Sequence, residues 1–198
     1  MPRFGLCFRT CLMAVLTSVA VAACATTQTT RTPLPPVPAI YERTTTVAFQ
    51  RVPGLDCCSL EFPAAGWTTT PGQDLALVTL QHNQGQAHVT LEETELGVSL
   101  DPTEITTVFS NIEMDIIRER HPEASEFDST IITDTTIPIV VTHYRQTDAG
   151  AREKVRQYSF PRGKKLYRLI CTAAESTFLR YEQIFAHIAA SFQAETET

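Results

Sequence analysis

The stretch QAHVTLEETELGVSLDPTEITTVFSNIEMDIIRER, Gln86 to Arg120, changes its hydrophobic period halfway, and that change decides the fold class. QAHVTLEETEL carries the two-residue period of a strand. The second part opens with Asp101 as N-cap, Pro102 at the first helical position and Glu104 three residues after the cap, an aspartate version of the capping box. Ile105, Val108, Phe109, Ile112 and Ile116 then fall at i, i+3, i+4, i+7 and i+11, which predicts a one-sided amphipathic helix. Arg118, Arg120 and Pro122 close it. A strand thus runs straight into a helix.

Working outward, the N-terminal side reads as strands. In CCSLEF, Cys58, Leu60 and Phe62 alternate with Cys57, Ser59 and Glu61, so the first set shares one face. PAAGW is a turn ending in the only tryptophan, Trp67, and DLALVTLQ is a second strand, joined to QAHVTLEETEL through HNQG. On the C-terminal side three more strands are expected, over residues 129–145 (with Pro138 as a break or edge position), 153–160 and 165–172. DAGA and PRGK are the expected hairpin connections. The last helix, TFLRYEQIFAHIAASF, shows Tyr181, Ile184, Phe185, Ile188 and Phe192 on one face. Three strands, a helix, three strands and a helix predict an α+β fold: an antiparallel sheet of about six strands packed by two main helices.

That order, together with SLEFPAAGW, YRLICTA and FLRYEQIFAHIAASF, resembles the PsbP-like (Mog-type) α/β/α sandwich over about residues 45–193. That family includes photosystem II extrinsic subunits, a Ran-binding protein and many bacterial lipoproteins. The resemblance implies a binding or assembly module, and it brings no shared catalytic residues. Residues 194–198 are expected to form a short tail.

The front of the chain reads differently. MPRFGLCFRT carries Arg3 and Arg9 and no acid, and CLMAVLTSVAVAA is apolar or small except for Thr17 and Ser18. This is the pattern of a secretory signal peptide over residues 1–23, too short for a spanning helix of ~20 apolar residues. Val21-Ala22-Ala23-Cys24 resembles the bacterial lipobox. The resemblance implies cleavage between Ala23 and Cys24 and a diacylglyceryl thioether on the Cys24 thiol, the two chains that stable anchoring requires. Ala25, with no aspartate at that position, is similar to lipoproteins sorted to the outer membrane. Residues 24–44 are the expected tether. Thr26 to Ala39 holds four prolines and only Leu34 and Val37 as larger apolar residues, so it cannot bury enough surface to fold. Extended proline-rich chain of this length reaches roughly 40 Å.

Charge narrows the partners. The whole chain has a formal charge of −6; removing residues 1–23 removes two arginines and no acid, leaving −8. That excludes the basic footprint of a nucleic-acid binder. Processing would leave Cys57, Cys58 and Cys171 in an oxidising compartment, with no C-x-x-C motif. Three outcomes stay open: a Cys58–Cys171 bridge between two core-facing positions, a Cys57–Cys171 bridge, or free thiols.

The chain contains no G-x-S-x-G, H-E-x-x-H, phosphate-loop or calcium-loop motif, so no catalytic residues and no cofactor are expected. His82 and His88 flank the NQGQA loop; they are expected to be polar residues on a solvated hairpin, with a zinc site completed by Glu92 as the competing reading. Glu93 and Glu95 turn to the face opposite Glu92. His121 reads as a helix end, His187 faces away from the apolar stripe, and His143 has no visible partner in its strand.

Arg152, Lys154, Arg156, Arg162, Lys164, Lys165 and Arg168 concentrate basic charge on what reads as one hairpin. Such a patch would meet an acidic partner or anionic lipid, or would serve as a solvated strand edge. The expected function is a non-enzymatic, periplasm-facing binding or assembly module, tied to the outer membrane by its lipid and meeting a protein partner. The competing reading is a small-ligand carrier or metal-dependent enzyme using a pocket between sheet and helices.

Overall fold

The computed structural model describes residues 47–135 and 138–195. The expected signal peptide, Cys24 and the tether lie outside them. Among the described residues ten strands and two α-helices follow in chain order: β1 (Phe49–Arg51), β2 (Cys58–Ser59), β3 (Glu61–Pro63), β4 (Trp67–Pro71), β5 (Ala76–His82), β6 (Ala87–Leu100), α1 (Thr107–Arg120), β7 (Ser125–Ile132), β8 (Ile139–Asp148), β9 (Ala151–Ala174), α2 (Phe178–Ser191) and β10 (Gln193–Ala194). Strands β4-β5-β6-β9-β8-β7 form one six-stranded antiparallel sheet. Two small ladders, β1 with β3 and β2 with β10, complete the domain. The fold is the expected α+β architecture.

The membership of the sheet differs from the reading of the sequence. CCSLEF buries Cys58, Leu60 and Phe62 in the core as its alternation predicts, but it lies outside the main sheet. WTTTP, directly after Gly66 (φ +78°), takes the edge position as β4. Residues 129–145 fall into two strands, β7 and β8, with Pro138 between them. Residues 153–160 and 165–172 belong to one strand, β9, so PRGK is not a hairpin turn. Residues 151–159 of β9 pair with β8, and residues 163–173 pair with β6. DAGA does close a hairpin: Asp148 opposes Ala151 across Ala149 (φ +47°) and Gly150 (φ +84°), the left-handed pair of a tight two-residue turn.

Gly163 (φ +58°) does other work. Before it, Val155, Gln157 and Ser159 face α1, whereas Tyr158 and Phe160 face α2; after it, Leu166, Arg168 and Ile170 face α1, whereas Tyr167, Leu169 and Cys171 face α2. The parity of the strand therefore reverses at a bulge that only a residue tolerant of positive φ accepts without strain.

Helix α2 covers one face of the sheet. Its buried Phe178, Tyr181, Phe185 and Ile188 are the stripe expected from the sequence, extended by one turn, and they pack with Leu80, Val89, Leu169 and Cys171. Helix α1 covers the other face, and here the expected stripe is rotated. Phe109, Ser110, Glu113 and Ile117 are buried, while Val108 and Ile112 are 67 % and 51 % exposed. The Asp101/Glu104 capping box forms, with Glu104 Oε2 accepting from the Asp101 N–H at 2.6 Å, but it caps a 3-10 turn at Pro102–Glu104. The α-helix proper starts at Thr107, with the Thr106 hydroxyl accepting from the Val108 N–H. Restarting the helix there turns a different face inward.

Of the segment expected as a tail, residues 194 and 195 are paired, and residues 196–198 lie outside the described residues. Gln193 opposes Ser59, Ala194 opposes Cys58, and the Glu195 N–H donates to the Cys57 carbonyl at 2.9 Å. Among the described residues no helix is long and apolar enough to cross a membrane.

Candidate functional site

Continuity of β9 divides the basic cluster. Arg152, Lys154 and Arg156 stand on the α2 side of its first half, beside His143 and Arg145 of β8. Arg162, Lys164 and Lys165 lie beyond Ser159, roughly 20–43 Å of strand further on at 3.3 Å per residue. In that second group Arg162 donates to the Pro161 carbonyl at 2.7 Å and Lys165 pairs with Glu93 at 3.0 Å. Arg168 leaves the surface altogether. Its side chain crosses under α1, 4 % exposed, and grips both carboxylate oxygens of Glu113 at 2.8 and 2.9 Å. Ser159 and Gln157 donate to the same carboxylate, and Arg168 also donates to Thr94. That cluster is a structural one.

Lys154 and Arg156 of the first group, with His143 and Arg145, line a cleft of about 240 Å³ where the β8–β9 end of the sheet meets the first turns of α2. Phe178 and Leu179 supply its apolar wall, with Leu179 72 % exposed. Each arginine there has a carboxylate: Arg145 binds Glu126 and Glu175, and Arg156 binds Glu182 while stacking over the Phe178 ring. Arg152, outside the cleft lining, shares Glu175. The half-buried Lys154 makes no ion pair among the described residues. His143 accepts from Arg156 Nε at its Nδ1, 3.4 Å away; burial, reinforced by the Arg156 charge, lowers its pKa below the usual imidazole range. The cleft therefore presents one uncompensated ammonium and a neutral imidazole beside an exposed leucine. It suits a carboxylate flanked by an apolar side chain.

The two histidines of the β5–β6 hairpin do not meet. Gln81 opposes His88, which places His82 and His88 on opposite faces of the sheet, so they form no shared metal site. His82 Nδ1 instead contacts the Tyr181 hydroxyl at 3.2 Å, inside an edge-to-face trio with Trp67. His88 is pushed to a lower pKa by burial, which Glu153 and Asp148 partly offset. Glu92 is bound by Arg120 at 3.1 Å. Among the described residues no group of three or more His, Cys, Asp or Glu is placed to hold a metal ion.

A second cleft, of about 230 Å³, lies between the β2–β3 region and the end of α2. His187 pairs with Glu61 at 3.1 Å and stacks on Phe49, while Ser191 donates to the Ile188 carbonyl and accepts from the Glu61 N–H. Ser, His and Glu thus share a cleft, but the hydroxyl proton is committed to a backbone carbonyl and not to the imidazole, so the arrangement is not a nucleophile–base relay.

The two core-facing cysteines lie where their alternation predicts. Cys58 and Cys171 are buried in one core cluster as free thiols, yet β2 and β9 are not hydrogen-bonded neighbours. Cys57 lies in a bend just before β2, and its Sγ comes within 3.1 Å of Cys58 Sγ. Strict alternation had put these two on opposite faces; the bend turns them together.

No protein-family model and no curated protein matches the chain. Solved structures do. The cyanobacterial PsbP protein (CyanoP) of Synechocystis sp. PCC 6803 is 13 % identical, with a TM-score of 0.59, over 77 % of this chain and 96 % of its own. LpqN of Mycobacterium tuberculosis, involved in cell envelope biogenesis, is 12 % identical, with a TM-score of 0.51, over 76 % of this chain and 92 % of its own. A protein of Bacteroides thetaiotaomicron VPI-5482 is 10 % identical, also with a TM-score of 0.51, over 71 % of this chain but 46 % of its own. At these identities the likeness is one of architecture: the chain has the PsbP-like α+β fold.

Proposed function

We propose that this protein is a lipid-anchored, non-enzymatic binding module of the bacterial cell envelope, facing the periplasm from the outer membrane, and that it docks an acidic, partly apolar segment of a protein partner in the Lys154 cleft. The observation that carries the reading is the unpaired Lys154 ammonium beside the exposed Leu179, in a cleft whose other cations each have a carboxylate. The lipobox-like Val21–Cys24 and the envelope role stated for LpqN support the location. The two clefts described above, of about 230 and 240 Å³, fall below the ~300 Å³ at which small-molecule pockets begin, so neither favours the small-ligand carrier reading.

Cross-linking and capture from membranes test it. A single stoichiometric protein partner is expected, and Lys154→Glu should weaken its capture roughly tenfold by setting like charges against each other. Thermal unfolding should hardly move, because Lys154 makes no ion pair among the described residues for the substitution to break. Capture that is unchanged in Lys154→Glu rejects the cleft as the docking site. A co-purifying small molecule or metal with no protein partner rejects the binding-module reading itself.

A further inference from the structure

Two thiols in consecutive residues ordinarily point away from one another when the chain is extended. At Cys57–Cys58 the bend before β2 removes that separation, and the sulfurs sit 3.1 Å apart, inside ordinary non-bonded contact for two sulfur atoms. The pair is also placed at a junction. The Cys57 carbonyl accepts from the Glu195 N–H, and Cys58 opposes Ala194 in the β2–β10 ladder. Immediately before β10, Phe192 packs on Phe160 and Tyr167 in the core, with ring centroids 4.7 and 5.2 Å away. Whatever happens at the dithiol is therefore felt by the C-terminal strand.

We propose that Cys57 and Cys58 form a reversible dithiol–disulfide pair, and that closing it loosens β10. The chemistry needs an external disulfide, R–S–S–R, carried by a thiol–disulfide oxidoreductase or a small molecule. Cys57 is the entry point because it is half-exposed, whereas Cys58 is buried and burial pushes its thiol pKa up. The Cys57 thiolate attacks one sulfur of R–S–S–R, forming a mixed disulfide and expelling R–S⁻, which takes the proton that Cys57 gave up. Cys58 then attacks Cys57 Sγ, the S–S bond between Cys57 Sγ and the sulfur of R–S breaks, and the second R–S⁻ takes the Cys58 proton. The two cysteines lose two electrons and two protons; R–S–S–R gains both as two thiols.

Covalent geometry makes this a switch and not a staple. Adjacent Cα atoms are 3.80 Å apart across a trans peptide, whereas disulfides sit comfortably at about 4.4–6.8 Å. A bridge between neighbours is therefore strained and easily reduced. The strain falls on the peptide unit between residues 57 and 58, whose first residue holds Glu195 and whose second pairs with Ala194.

The full chain, reduced and then treated with oxidised glutathione, supplies the test. Remaining thiols are alkylated under denaturing conditions, and digestion with Glu-C protease releases a peptide ending at Glu61. That peptide should be lighter by two hydrogens, free of alkyl groups and glutathione, with Cys171 recovered alkylated. A doubly alkylated peptide, a stable glutathione adduct, or a link to Cys171 overturns the proposal. Cys58→Ser should trap glutathione on Cys57; if that variant does not fold, Cys57→Ser should leave Cys58 alkylated and unglutathionylated, and a glutathione on Cys58 there overturns the order of attack. Amide exchange at Glu195 should become roughly tenfold faster on oxidation of the wild-type chain, as for a locally opened segment. Unchanged exchange in a chain shown to be bridged overturns the coupling to β10.

Discussion

Glu113 carries the largest electrostatic commitment among the described residues. It is 1 % exposed, meets Arg168 between α1 and the sheet face that α1 covers, and accepts from Ser159 and Gln157 as well. Removing one member of such a group strands a buried charge, which costs ~3–5 kcal/mol. Glu113→Ala should therefore lower the urea midpoint by a corresponding amount. Glu113→Leu combined with Arg168→Met removes both charges and should recover part of that loss; Ser159 and Gln157 still lose an acceptor, so recovery stays incomplete. A double variant no more stable than Glu113→Ala contradicts the assignment. The sequence alone did not disclose this pair. Fifty-five positions separate the partners, and a glutamate beside Ile112 on an amphipathic pattern reads as solvent-facing until the helix phase is known.

At the scale of elements, the pattern was legible wherever the period was local and clean, as in α2 and the DAGA hairpin. Two ambiguities were not resolvable from the residues. Pro161-Arg162-Gly163 has turn chemistry, but the same positive φ serves a bulge inside a continuous strand, and the choice depends on β6 and β8 flanking β9 along different halves. Helix α1 offers isoleucines at positions 112, 116 and 117, and the phase was set by the restart at Thr106 and by Arg168 drawing Glu113 inward. The test is a comparison of two truncations. Ile117→Ala should cost ~2–5 kcal/mol as a buried truncation. Ile112→Ala, at an exposed position, should stay within about 0.5 kcal/mol. Equal losses in chemical denaturation would restore the unrotated stripe. Of the candidate site, Lys154 and Arg156 were visible as charge, but the cleft was not, because its wall comes from α2, more than twenty residues further along the chain.

At the scale of the whole molecule, the anchor proposed above would decide where any of these surfaces can act. A chain with a formal charge of −8 beyond Ala23 gains nothing from the negative surface of a membrane, so electrostatics alone would not hold it there. Lipid can: each buried methylene contributes ~0.8 kcal/mol, a single acyl chain gives marginal and reversible attachment, and a second makes it stable. The lipobox-like segment would supply both chains through one thioether at Cys24. Cells fed a palmitate analogue should therefore label the wild-type protein and not Cys24→Ala, which should accumulate as a precursor that retains residues 1–23. Label that survives Cys24→Ala removes the lipoprotein reading. A Cys24→Ala chain that is still shortened would instead assign the cut to an ordinary signal peptidase, leaving the −8 domain with no hold on the membrane and free in the compartment into which it is exported.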